Sequence, residues 1–272
     1  MAVVNRTPDS FYDRGSTFAF DSAVAAALAA VADGADIIDI GGAPFAPGPA
    51  LSVSDEVNRV VPVIAAIRAA SDVVISVDTF QPDVARRSIA AGADLINDTT
   101  GLRNPEMAAV IAEGAAGVVI THSLAEPRTA YARPAYNDVV AEVVEFLKRQ
   151  VSVGLAAGIP SDRIIVDPGH DLNKNTLHSL ELTRRFGEIA ELGYPALAAV
   201  SNKDFIGETL DRGRDDRVAG SLAAAVIAIQ NGARVIRMHN IRPAVDAARM
   251  TEAILGFRDP VFLRHNMGAR ND

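Results

Sequence analysis

Apolar runs of strand length recur along the chain, and each leads into a polar residue. Residues 2–5 close on Asn5, residues 36–40 carry Asp39, and residues 73–78 close on Asp78. Residues 94–97 close on Asn97, residues 117–121 lead into His122, and residues 164–167 close on Asp167. Residues 196–201 run into Ser201 and Lys203, and residues 234–239 carry Arg237 and His239. Between these runs the apolar positions switch to helical spacing, over residues 21–33, 54–70, 82–91, 105–113, 136–157, 175–191, 215–231 and 242–255. In the segment 136–157, Val139, Val140, Val143, Val144, Leu147 and Val151 share one face, which is expected to be core. Strand followed by helix, eight times over, predicts an α/β fold: a single (β/α)8 TIM barrel over residues 1–257, with residues 258–272 as a C-terminal tail. In that architecture the carboxyl ends of the strands surround one site, so the polar residues should converge.

The punctuation agrees. The connections 33–36, 91–94, 113–116 and 231–234 each read X-Gly-Ala-X just before a strand. A glycine there supplies the left-handed residue that ends a helix. The segments after strands are longer and more polar, above all residues 6–20, 43–53 and 123–135. Long loops on a rigid scaffold are where binding groups collect.

Composition narrows the function. The chain has 272 residues, 49% hydrophobic, with net charge −8 and no cysteine. An acidic chain without a dense basic tract argues against nucleic acid and anionic membrane as partners. The absence of cysteine excludes disulfides, thiolate metal sites and a cysteine nucleophile. The longest apolar stretch, Leu222 to Ile229, is too short to span a bilayer. Met1 leads directly into a strand, so no signal peptide is expected and the localisation expected is cytoplasmic.

Two groups of strand-end residues suggest chemistry. Asp78, Asn97, Asp167 and Lys203 provide two acids, an amide and a cation, a set suited to a flat heterocycle with amino, ring N–H and carbonyl groups. Singly, each would serve equally as a polar cap on the following helix. Asn5, Arg237 and His239 lie on the first and last strands, which are neighbours in a closed barrel, and suit a phosphate or pyrophosphate. His239 alone would equally be a core histidine, and His122 a packing one. No His-Glu-x-x-His pattern is present, so a dedicated zinc site is not expected.

The motifs NRTPDSFYD (5–13), IDIGG (38–42), SVDT (76–79), INDTTG (96–101), DPGHDLNKN (167–175), SNKDFIGET (201–209), GSLAAA (220–225) and RMHN (237–240) resemble the dihydropteroate synthase family, in order over nearly the whole chain. The resemblance implies joining of 6-hydroxymethyl-7,8-dihydropterin pyrophosphate to p-aminobenzoate with release of pyrophosphate. It implies that Asp78, Asn97, Asp167 and Lys203 hold the pterin. Asn5, Arg237 and His239 would hold the pyrophosphate, with Mg²⁺ at Asn5. Ser201, Leu172 and Phe11 would lie near the aminobenzoate, and the loops Thr7 to Arg14 and Ala43 to Gly48 would close over the site. Asp78, Asp167, Lys203 and Arg237 would carry catalysis. Family members are commonly homodimers.

The departures from the family pattern cluster. After Gly-Gly the family usually reads Glu-Ser-Thr-Arg-Pro-Gly, whereas residues 43–48 read Ala-Pro-Phe-Ala-Pro-Gly. Phe45 and Ala46 thus replace a Thr and an Arg. After Asp-Pro-Gly the family reads Ile-Gly-Phe-Gly-Lys, where this chain has His170, Asp171, Leu172, Asn173 and Lys174. Asn202 replaces an Arg, Asn240 an Asp, and Ser123 a Met beside the pterin. Losing one charge-assisted clamp costs about 2–4 kcal/mol of transition-state stabilisation. The pattern is similar to divergent second-copy homologues whose synthase activity is weak or absent. Two readings therefore stand: a synthase with reduced activity, or a pterin-binding paralogue without turnover. Arg14 or Arg128 would be candidates to replace the missing loop arginine.

Overall fold

The computed structural model describes residues 1–6, 17–44, 47–49, 51–131 and 133–266. Its strands are β1 (Ala2–Asn5), β2 (Ile37–Gly41), β3 (Val74–Asp78), β4 (Leu95–Asp98), β5 (Gly117–Thr121), β6 (Ile164–Asp167), β7 (Ala196–Ala198) and β8 (Ala233–Ile236). They form one parallel sheet in sequence order, β1 to β8. The two edges also meet. Ala2 bridges Met238, the Val3 N–H donates to the Met238 carbonyl (3.2 Å), and the Met238 N–H donates to the Met1 carbonyl (2.9 Å).

The helices are α1 (Phe20–Ala32), α2 (Val53–Ala70), α3 (Pro82–Ala90), α4 (Pro105–Glu113), α5 (Val139–Ala156), α6 (Thr176–Arg184), α7 (Phe186–Ala190), α8 (Asp204–Leu210), α9 (Val218–Gln230) and α10 (Ile241–Ile254). Val139, Val140, Val143, Leu147 and Val151 of α5 are buried as expected, and Val144 packs at their edge. Three expectations need correction. The helix foreseen over 175–191 breaks at Arg185 into α6 and α7. The short α8 between β7 and α9 carries no clear period and was not foreseen. β7 stops at Ala198 and β8 at Ile236, so Ser201, Lys203, Arg237 and His239 lie just past their strands; a register shift at Ala196/Leu197 interrupts this pair.

The Gly-Ala turns hold with one exception. Gly34, Gly92 and Gly232 take φ values of 97°, 108° and 101°, but at 113–116 it is Ala115 that turns left-handed, at φ 55°. Gly114 is needed for proximity instead: a Cβ there would stand 2.8 Å from Ile89 Cγ2.

The pleat decides what reaches the site. Successive strand residues point to opposite faces. Ile75 and Val77, Val118 and Ile120, and Ile164 and Val166 belong to the main core shared with the helices. Leu95, Val119, Leu197 and Ala199 form a separate inner cluster, joined by Ile165 and Val235. Residues two positions beyond that inner set, Asn97, Thr121, Asp167, Ser201 and Arg237, continue it toward the strand carboxyl ends. Among the described residues no helix is long and apolar enough to cross a membrane.

Candidate functional site

At the carboxyl ends of the strands lies a cavity of about 600 Å³. Asn5, Asp78, Asn97, Asp167, Leu172, Ser201, Lys203, Arg237 and His239 all line it. Phe11, the loop Thr7 to Arg14, Phe45 and Ala46 lie outside the described residues.

The floor is an ionic network centred on Asp39, a residue to which the sequence assigned no role. Asp39 is fully buried on β2. It accepts hydrogen bonds from Ser76 Oγ (2.6 Å), Asn97 Nδ2 (3.2 Å) and Arg237 Nε (2.7 Å). The Arg237 guanidinium also reaches Asp78 Oδ2 at 3.3 Å, so it lies between two carboxylates. Parity along β2 places Asp39 on the inner face together with Gly41, and that signal was available in the sequence. Enclosure, with the neighbouring Asp39 charge second, pushes the Asp78 carboxyl up to about 7, against the pull of Arg237.

Asp167 Oδ1 accepts the Gly169 N–H at 2.7 Å, while burial raises its pKa. Lys203 Nζ donates to the His170 carbonyl at 2.5 Å, and burial lowers its pKa. Ser201 Oγ accepts the His239 N–H at 3.1 Å and lies 3.0 Å from His239 Nδ1, so it orients that ring. At the cavity, Asn97 Oδ1 and Thr121 Oγ1 are buried polar atoms that meet no hydrogen-bonding partner among the described residues.

His122 is a packing histidine. Its ring meets Phe146 edge-on with centroids 4.8 Å apart, and its Nδ1 lies 2.9 Å from Lys174 Nζ. Burial first, and then Lys174, lower its pKa to about 2. Lys174 also donates to the carbonyls of Gly169 (2.9 Å) and Leu172 (3.0 Å), fixing the loop after β6. Burial brings this amine down to about 7.

Ser123 does not occupy the place expected for it beside a ligand. It is buried outside the cavity lining, and its Oγ donates to the Thr99 carbonyl at 2.8 Å. Thr121, two residues earlier, is the β5 side chain at the cavity. Asn202 is likewise fully buried and absent from the lining; its Nδ2 donates to Asn240 Oδ1 at 3.2 Å. Asp171 and Asn173 keep the glycine-type backbone, at φ 63° and 53°. Asn and Asp tolerate that region better than other side chains.

Arg128 is not among the residues that line the cavity. It donates to the carbonyls of Pro44 (3.1 Å) and Pro49 (2.9 Å), and its own carbonyl accepts the Gly48 N–H (3.4 Å). The segment after β5 is thereby tied to the segment after β2 across one side of the mouth.

Among the described residues no cluster of three or more His, Asp or Glu side chains would hold a metal ion. Asn5 Oδ1 stands at the β1 end where a Cβ on Gly41 would come within 3.1 Å of it, so the glycine leaves that oxygen room. Mg²⁺ commonly takes one or two protein oxygens and completes its shell with water and substrate phosphates. The donor set fits an ion that arrives with a polyphosphate.

Residues 1–239 match the family described as pterin binding enzyme. The chain belongs to that family and, within it, to the dihydropteroate synthases. It is 46% identical over 266 residues to a Mycobacterium leprae protein named inactive dihydropteroate synthase 2, covering 96% of this chain and 91% of that one. It is 39% identical over 260 residues to the dihydropteroate synthase of Escherichia coli, covering 95% and 92%. The crystal structure of a Yersinia pestis dihydropteroate synthase with a sulfonamide drug superposes with a TM-score of 0.91 at 35% identity, covering 95% of this chain and 94% of that one.

Proposed function

We propose that this chain binds 6-hydroxymethyl-7,8-dihydropterin pyrophosphate in the strand-end cavity and condenses it with p-aminobenzoate. The observation that carries the reading is the meeting of Asp78, Asn97, Asp167, Lys203, Arg237 and His239 around one cavity of about 600 Å³, a size suited to a small-molecule ligand. On this reading Asp78, Asn97, Asp167 and Lys203 hold the pterin, and Asn5, Arg237 and His239 hold the pyrophosphate. Ser201, Leu172 and Phe11 border the aminobenzoate. We read residues 1–257 as one closed barrel with 258–272 as a tail; the Val3–Met238 and Met238–Met1 hydrogen bonds support closure. Exposed apolar side chains on and just beyond α10, Met250, Ile254 and Phe257, support a homodimer.

The chemistry follows from the charges. The C–O bond to pyrophosphate breaks, and its electron pair leaves with the phosphate oxygen. The methylene left on the pterin is cationic and conjugated with the ring, and Asp78 and Asp167 stabilise it. The arylamine nitrogen forms the new C–N bond and releases its proton to the departing pyrophosphate or to water. Mg²⁺ held through Asn5 would offset charge on the pyrophosphate. Arg237 must divide its donors between that anion and the two carboxylates it already faces.

A second reading, pterin binding without turnover, is favoured by Phe45 and Ala46, which stand where the family has Thr and Arg. The name of the Mycobacterium leprae relative points the same way. The test mixes purified protein with the pterin pyrophosphate, p-aminobenzoate and Mg²⁺, and follows pyrophosphate release beside thermal stability. Release above the uncatalysed rate, abolished by Lys203→Ala, supports the synthase. A thermal shift on adding the pterin pyrophosphate, without release, supports the binding reading. Absence of both overturns both.

A further inference from the structure

We propose that Thr121 is a specificity-determining contact: its hydroxyl donates a hydrogen bond to an acceptor atom on the edge of the bound heterocycle. The proposal rests on the pterin reading above and adds to it a residue outside the set the sequence singled out.

The argument starts from an unmet bond. Thr121 is 1% exposed, it lines the cavity, and its Oγ1 has no hydrogen-bonding partner among the described residues. A buried hydroxyl without a partner is destabilising, so such groups in folded proteins call for an explanation. The strand offers none. The backbone of Thr121 pairs in register with Asp167 on β6, and its Cγ2 methyl lies 3.4 Å from where a Cβ on Gly169 would stand. The methyl therefore packs against the loop after β6, and the hydroxyl is left over.

Its neighbours define what would complete it. Asn97, on the adjacent strand β4, gives its Nδ2 to Asp39. A carboxylate only accepts, which fixes the amide orientation and leaves Oδ1 as a second unpartnered acceptor. Asp167, on the other adjacent strand, spends Oδ1 on the Gly169 N–H and presents a further acceptor oxygen. Across β4, β5 and β6 the wall thus offers acceptor, hydroxyl, acceptor. The complementary ligand edge reads donor, acceptor, donor, as an aminated fused nitrogen heterocycle does. The hydroxyl in the middle of the wall is placed to donate to that acceptor.

The test uses full-length protein and 6-hydroxymethylpterin as the probe, titrated by calorimetry. Thr121→Val keeps the shape and removes the hydroxyl; Thr121→Ser keeps the hydroxyl. One neutral hydrogen bond predicts about a tenfold loss of affinity in Thr121→Val and recovery to within about threefold in Thr121→Ser. The ligand-free Thr121→Val protein should melt no lower than the parent, because the group removed satisfies nothing in the fold. Equal affinity of Thr121→Val and the parent overturns the proposal and leaves the pterin reading standing. So does a lowered ligand-free melting temperature, which would reveal a partner within the protein. Failure of the parent itself to bind any pterin overturns both.

Discussion

Asn202 Nδ2 donates to Asn240 Oδ1 over 3.2 Å, joining the turn after β7 to the start of α10. These are two of the positions at which the chain departs from its family, which has Arg and Asp there. The structure joins the two departures into one: an amide pair stands where opposite charges would. Asn202 is fully buried, so either charge restored alone would lack its counterion. Asn202→Arg is expected to destabilise the fold by about 3–5 kcal/mol, the usual cost of an unpaired buried charge, whereas Asn240→Asp, at the half-buried N-cap of α10, should cost less than about 1 kcal/mol. The double variant should recover about 1–3 kcal/mol of that as coupling, read from a denaturant-based double-mutant cycle. Additive losses would contradict the pairing.

Asp78 sets a pH dependence. Its folded value of about 7 lies above the 3.8 of the free carboxyl, so between those values the folded chain holds a proton that the unfolded chain has released. Stability contributed by this group therefore falls as pH rises from about 4 to about 7. Asp78→Asn removes the titration. Plotted from pH 4 to 7, the melting temperature of the variant should decline less steeply than that of the parent; parallel curves would place the titration elsewhere.

Asn173 holds two loops at once. Its Oδ1 accepts the N–H groups of Leu124 (2.8 Å) and Ala125 (2.9 Å), while its own backbone sits at φ 53°. Asn173→Ala loses both bonds and adds left-handed strain, an expected cost of about 2–4 kcal/mol by chemical denaturation. Asn173→Gly relieves the strain but not the bonds, and should fall between alanine and the parent. The order asparagine, glycine, alanine is the result that checks it.

Arg128→Ala removes the donors to Pro44 and Pro49. Amide exchange at Ala43 and Gly48 and around 124–131 should quicken, while the global melting temperature changes by only a few degrees. Unchanged exchange in either segment would mean that the guanidinium does not tie them.

Much of this was legible in the chain itself. Eight apolar runs foretold eight parallel strands, and the polar residue at each end foretold the rim. Strand parity is the rule that separates Thr121, facing in, from His122, facing Phe146; the eye falls on histidine, and the pleat favours its neighbour. Asp39 was named among the strand residues but given no role, because a carboxylate inside an apolar run shows no partner in the sequence; the structure puts Ser76, Asn97 and Arg237 around it as donors. The break at Arg185 and the short α8 were not legible, because neither segment is long enough to carry a helical period. The partnership of Asn202 with Asn240 joins positions 38 residues apart in sequence, and no local pattern announces it.

Arg128 has a mechanical corollary. Segments that share a guanidinium and a backbone hydrogen bond cannot swing independently, so on this flank the entrance behaves as a door with one leaf. A molecule that presses the β2 side aside must carry the β5 side with it, and whatever stiffens either half slows traffic past both.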